Sequence, residues 1–236
     1  MSTDTKPRQR IERLRQSRAV ILPSMLLCDF GNLAAEVARL EAVGVQALHL
    51  DVMDGHFVPN LTYGMPIVEA VRRLTDLPLD VHLMIANPRQ YIRQFADAGA
   101  DILTVHAEIE DNVTEILQDI QRLGIGAGLA VNPGTELQGL EAAIDSCDLF
   151  LAMSVQPGFG GQAFNPVALD KLRRVRQQYP TKLLEIDGGI NQKTIADARD
   201  AGATLFVVGS AIFGQPNYGQ AVGALEAQLG EQRAVD

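Results

Sequence analysis

The sequence is short of several residue types, and each shortage removes a class of function. Only two cysteines occur in 236 residues, Cys28 and Cys147, with no Cys-x-x-Cys spacing. Neither a disulfide framework nor a zinc ribbon is supported, and free thiols in a reducing compartment follow. There are four lysines, Lys6, Lys171, Lys182 and Lys193, and none ends a candidate strand. A Schiff-base aldolase, or a decarboxylase relying on a strand-end lysine, is therefore disfavoured. No Gly-x-Ser-x-Gly or Walker-type loop is present, which argues against a serine hydrolase or a nucleotide kinase. No apolar run approaches the roughly 18 residues of a membrane span, and no basic start precedes an apolar segment as in a secretory signal. No membrane association and a cytoplasmic location are expected. Lys and Arg total 20 against 29 Asp and Glu, a net charge of −9. Duplex nucleic acid, which needs clustered basic residues, is not an expected partner.

What is present describes one soluble globular domain. Apolar residues make up 47% of the chain and charged residues 21%, with 21 glycines and 11 prolines. A chain of this length buries a large core without covalent staples. Residues 1–18 differ from the rest, carrying a local charge of +4 and leaving −13 for the remainder. The segment reads as a solvated, partly disordered basic tail, with the domain at residues 19–236. An organelle transit peptide is the alternative, and the shortness of the segment and its Asp4 and Glu12 speak against it.

From Ala19 onward, short β-branched or leucine-rich runs alternate with longer amphipathic stretches. Strand runs are predicted at residues 19–24, 47–53, 79–84, 102–106, 126–131, 149–155, 182–187 and 204–209. Residues 33–44 predict a helix from the spacing of Leu33, Val37, Leu40 and Val43, ended by Gly44. Gly99, Gly124 and Gly202 stand in equivalent places, each where a helix would stop and a strand begin. Eight strand-helix units of about 27 residues, with near-continuous apolar strands, predict an α/β fold with a parallel sheet. A closed (β/α)8 TIM barrel in a single domain fits this better than an open doubly wound sheet.

In such a barrel the chemistry lies at the carboxyl ends of the strands. The run HLDVMDG puts His49, Asp51 and Met53 on one face of a strand by the two-residue period. His82 and Met84 share a face of the next, and Asp187 ends a later one. Two histidines and two aspartates converging from three strand ends make a plausible site for Zn, Fe(II), Mn or Co. His106 reads as a supporting or structural residue and His56 as a loop residue. Ser24 can either hydrogen-bond a substrate hydroxyl or serve the following turn. Three late glycine loops, Gly158-Phe159-Gly160-Gly161, Gly188-Gly189 and Gly209-Ser210, can hold a phosphate through backbone N–H groups.

These phrases carry a family resemblance. HLDVMDGHFVPN (49–60), DVHLM (80–84), MSVQPGFGGQAF (153–164), EIDGGI (185–190) and VVGSAIF (207–213) resemble, in order, those of the ribulose-phosphate 3-epimerase family. The resemblance runs from about Ala19 to Leu229. It implies a (β/α)8 barrel that interconverts D-ribulose 5-phosphate and D-xylulose 5-phosphate with one divalent metal ion and no organic cofactor. It implies His49, Asp51, His82 and Asp187 as metal ligands, with Asp51 and Asp187 as the acid/base pair acting at C3 through a metal-stabilised cis-enediolate. It also implies that Gly158 to Gly161, Gly188, Gly189, Gly209 and Ser210 hold the phosphate. Ser24 and His82 would touch the substrate, and Met53, Met84 and Met153 would line the site. The opening motif departs from the family's PSILSADF: the chain reads PSMLLCDF (23–30), which puts local packing at Leu27 and Cys28 in question. D-Allulose 6-phosphate, one carbon longer, is the alternative substrate. A non-catalytic sugar-phosphate-binding barrel or a metal-dependent lyase stands further off, and homo-oligomerisation is left open.

Overall fold

Parallel strands form wherever the apolar runs stand. In the computed structural model, which describes residues 6–230, they are β1 (Val20–Pro23), β2 (Leu48–Met53), β3 (Leu79–Met84), β4 (Ile102–His106), β5 (Gly126–Val131), β6 (Leu149–Met153), β7 (Leu183–Asp187) and β8 (Leu205–Val208). Each lies inside its predicted run. Neighbours pair in parallel in the order β1-β8-β7-β6-β5-β4-β3-β2. A single parallel bridge, Ser24 with His49, brings the two edges together. The result is the expected eight-stranded barrel.

Helices return the chain between strands. They are α1 (Lys6–Gln16), α2 (Leu33–Ala42), α3 (Met65–Leu74), α4 (Ile92–Asp97), α5 (Val113–Arg122), α6 (Glu141–Ser146), α7 (Val167–Gln178), α8 (Ile195–Asp200), α9 (Ser210–Phe213) and α10 (Tyr218–Gly230). Among the described residues no helix is long and apolar enough to cross a membrane. The three glycines expected to end helices have positive φ, 107° at Gly99, 84° at Gly124 and 104° at Gly202. That conformation suits a residue without Cβ.

Alternation along each strand divides the core in two. On β6, Phe150 and Ala152 belong to the cluster packed between sheet and helices. Leu149, Leu151 and Met153 belong to a second cluster inside the barrel, with Val20, Leu22, Leu183 and Leu205. Those two faces are the consequence of a two-residue period in a sheet covered by helices.

The expected solvated tail does not describe residues 6–16, which form α1; residues 1–5 lie outside the described residues. Ile11 and Leu14 of α1 are buried and join the interior cluster at the amino ends of the strands. Gly126 at the start of β5 leaves the room: a Cβ there would lie 3.0 Å from Ile11 Cδ1. The basic residues meet acidic partners on the same rim. Arg10 bonds Asp101 at 3.1 Å and Asp76 at 2.9 Å, and Arg15 bonds Asp148 at 3.1 Å. The pairs to Asp76 and Asp148 reach solvent and add little, while the buried Arg10–Asp101 pair joins the two aliphatic side chains in docking the helix. Leu14→Ala is expected to lower the unfolding free energy by about 2–5 kcal/mol in urea titration; an undocked tail would leave the midpoint unchanged.

Candidate active site and metal centre

The inward face of β2 carries His49, Asp51 and Met53, and that of β3 carries Asp80, His82 and Met84. In the parallel register Asp51 stands opposite His82 and Met53 opposite Met84. On the other side of the ring, β7 ends in Asp187, opposite Met153 of β6. Ligand atoms of His49, Asp51, His82 and Asp187 all lie within 4.8 Å of one another. The four residues expected to converge do so.

Both imidazoles are fully buried, and each is tied by one nitrogen. His49 Nδ1 lies 2.6 Å from Asp80 Oδ2, and His82 Nε2 lies 2.8 Å from His106 Nε2. The other nitrogens, His49 Nε2 and His82 Nδ1, are each 3.3 Å from the same atom, Asp51 Oδ1. His49 Nε2 is buried with no hydrogen-bond partner. Two ring nitrogens and two carboxylates turned toward one another suit a borderline divalent cation. Asp80 stands behind His49 as carboxylates stand behind metal-binding histidines generally. The residues fit a metal ion.

The electrostatics agree. Burial works against charge on His49, yet the carboxylates of Asp51 and Asp80 raise its pKa well above the ordinary imidazole value. The field at this spot favours positive charge. Burial also opposes charge on Asp51, but His49 and His82 hold its carboxyl below the usual range. Burial and the negative charge of Asp51 push Asp187 up to about 7. Two carboxyl groups in one site thus differ in their hold on a proton, the condition for an acid/base pair. Burial draws His106 down to about 4, against the pull of Glu108.

Ser24 Oγ donates to Asp51 Oδ2 at 2.6 Å, so this hydroxyl orients the carboxylate rather than capping a turn. A cavity of about 290 Å³ opens above. It is lined by Ser24, Asp51, Met53, Met84, Met153, Asp187 and all three glycine loops: Gly158 to Gly161 with Phe159, Gly188 with Gly189, and Gly209 with Ser210. His49 and His82 lie beneath its floor. No Lys or Arg is among the described residues lining it. An anion there would depend on backbone N–H groups, which suits glycine loops. Gly189 has φ of 63°, and a Cβ on it would meet the Phe164 backbone at 2.8 Å, so only glycine fits. Asn60 Nδ2 donates to the Gly158 carbonyl at 2.6 Å, fastening the first loop to the segment after β2. His56 is an exposed loop residue, as expected.

Several neighbours escaped the reading of strand ends. Asp80 and Glu185 lie one inward step below His82 and Asp187, and with His49 they form a second cluster of ligand-type atoms. Burial, followed by the charge of Asp80, raises Glu185 far above the usual carboxylate pKa. Their parity was legible in the sequence; their position in mid-strand set them aside. Tyr63, whose hydroxyl accepts from the Asp51 N–H at 3.0 Å, carries no spacing signal at all.

The model of the ribulose-phosphate 3-epimerase family matches residues 20–213. The chain belongs to that family. It is 48% identical over 215 residues to the ribulose-phosphate 3-epimerase of Mycobacterium tuberculosis, covering 89% of this chain and 93% of that one. The same identity holds over 207 residues with the Bacillus subtilis enzyme of that name, covering 86% and 95%. Among solved structures, a mutant tryptophan synthase α-subunit of Pyrococcus furiosus superposes with TM-score 0.67 at 16% identity, covering 91% of this chain and 99% of that one. That likeness shows the fold alone.

Against the family's opening motif, Cys28 packs into the core between sheet and helices, while Leu27 stays 42% exposed and lines the cavity. A Cβ on Gly209 would lie 3.1 Å from Leu27 Cδ1, so this side chain narrows the cavity over the last glycine loop. The protein should retain one divalent ion per chain by elemental analysis after loading and desalting. His49→Ala should drop that ratio well below one while the fold, read by circular dichroism, persists.

Proposed function

We propose that this protein interconverts D-ribulose 5-phosphate and D-xylulose 5-phosphate by moving a proton at C3. The observation that carries this reading is the pair Asp51 and Asp187. They come from β2 and β7, strands separated in the ring by β1 and β8, and meet at the floor of one cavity. Membership of a family whose relatives bear the epimerase name supports it.

The glycine loops at 158–161, 188–189 and 209–210 hold the phosphate at one end of the cavity, leaving the carbon chain to reach the floor. Phe159, 56% exposed at the lip, covers the entrance side. With the phosphate fixed, C3 lies between the two carboxyl groups, and the reaction gains from position. One aspartate removes the C3 proton, and the other, protonated, returns one to the opposite face. The electron pair left at C3 moves into the C2 carbonyl and comes back, so the step needs no oxidant and no organic cofactor. A divalent ion held by His49, Asp51, His82 and Asp187 would act as a Lewis acid, stabilising the charge that develops on substrate oxygen. Ser24 fixes the rotation of the Asp51 carboxylate, and Met53, Met84 and Met153 keep water from the reacting carbon.

Zinc, ferrous iron, manganese and cobalt all suit this mixed imidazole and carboxylate set. NMR of D-ribulose 5-phosphate with the enzyme in D2O should show xylulose 5-phosphate carrying deuterium at C3, and removal of metal should abolish both. Asp187→Asn should slow turnover by about 10²–10⁴-fold. Turnover near the parental rate would refute the acid/base assignment. Conversion of allulose 6-phosphate but not of ribulose 5-phosphate would move the substrate to a six-carbon ketose phosphate.

A further inference from the structure

Behind His82 runs a line of hydrogen bonds that crosses three strand ends. His82 Nε2 meets His106 Nε2 at 2.8 Å, and the rings stack at 22° with centroids 4.9 Å apart. His106 Nδ1 lies 3.1 Å from Glu108 Oε2. The other oxygen, Glu108 Oε1, accepts from the backbone N–H of Asn132 at 2.7 Å. Lys171 of α7 donates to the carbonyls of Asn132 and Pro133, holding that turn in place. The ring of Phe57 packs on the ring of His106, with centroids 4.8 Å apart.

We propose that Glu108 and His106 are positioning residues that decide which nitrogen of His82 carries its proton, leaving Nδ1 bare toward the metal centre. The direction of the line follows from its ends. Both oxygens of Glu108 are acceptors, and one is taken by a backbone donor that cannot change its role. The other accepts from His106, so the single ring proton of His106 sits on Nδ1. Its Nε2 is then a lone pair. Two nitrogens at 2.8 Å share one hydrogen, and His82 must supply it from Nε2. What remains on His82 is an unprotonated Nδ1 at 3.3 Å from Asp51 Oδ1. Two lone pairs facing each other at that distance favour a cation between them. If the line ran the other way, His82 would carry its proton on Nδ1 and donate it to Asp51, closing the ligand position. Asp80 does the same service for His49 through one bond; His82 is served through two.

This inference rests on the metal-centre reading, and its test separates the two. Glu108→Gln is the informative variant because it preserves shape but offers one acceptor where two are needed. Its oxygen stays with the Asn132 N–H, its NH2 turns to His106 Nδ1, and the line reverses. Glu108→Asp is shorter by one methylene but keeps two acceptors. Ring-nitrogen NMR of the metal-free protein should show His82 protonated on Nε2 in the parent and in Glu108→Asp, and on Nδ1 in Glu108→Gln. Cobalt(II) titration against a competing chelator should give about 10–100-fold weaker binding for Glu108→Gln, with Glu108→Asp nearer the parent and thermal midpoints matched. A merely structural role would rank the isosteric Gln above the shorter Asp. A parent spectrum with the proton on His82 Nδ1, or cobalt affinity unchanged in Glu108→Gln, overturns the proposal. If the parent binds no cobalt, the metal-centre reading fails by itself, and the parent spectrum still decides the direction of the line.

Discussion

Polar atoms buried inside a barrel have no water to turn to, and this constraint organises the upper half of the molecule. The two-residue period of β2, β3, β4 and β7 sends His49, Asp51, Asp80, His82, Thr104, His106 and Glu185 into the interior, where all are buried. An unpaired polar group there costs on the order of 1–3 kcal/mol. The structure answers by pairing outward from the centre: Ser24 on Asp51, Asp80 on His49, His106 on His82, Glu108 on His106. The pairing leaves His49 Nε2 without a hydrogen-bond partner beside the Asp51 carboxylate, and both oxygens of Glu185 without one a step below. Pairing from outside thus leaves two imidazoles and two carboxylates turned toward one another, a donor set that suits a divalent ion.

The lower half obeys the opposite rule. Val20, Leu149, Leu183 and Leu205 fill the interior with aliphatic side chains, and Ile11 and Leu14 of α1 complete that layer. Rigid packing below fixes the strands whose ends carry the chemistry above, so the floor of the cavity is set by strands rather than by loops. Loops supply the rest. The glycine loops that line the cavity bring no Lys or Arg beside the carboxylates of the floor among the described residues.

Much of this was legible in the sequence because the governing periods are short. Strand runs, helix-ending glycines and the convergence of the four candidate ligand residues follow from spacing along a few residues, and the structure has the runs and the glycines and brings the four together. Reading only strand ends set Asp80 and Glu185 aside, although the same alternation puts them inward. Tyr63 and Glu108 reach the site from segments outside the strands, where no periodicity says which way a side chain turns. The amino-terminal helix was misjudged for a different reason. Five basic residues dominate its composition, and only Ile11 and Leu14, one turn apart, show its inner face. Their burial depends on the barrel end they meet and not on the composition of the segment.

That helix has a consequence for traffic. With Ile11 and Leu14 seated at the lower end, the described residues pack that end with aliphatic side chains, and the cavity opens at the carboxyl ends of the strands. An ion or a small molecule that enters the cavity meets that packing below it. In the proposed reaction a bound substrate would then be its own stopper, and a proton taken from it would wait inside until it is given back or the substrate leaves.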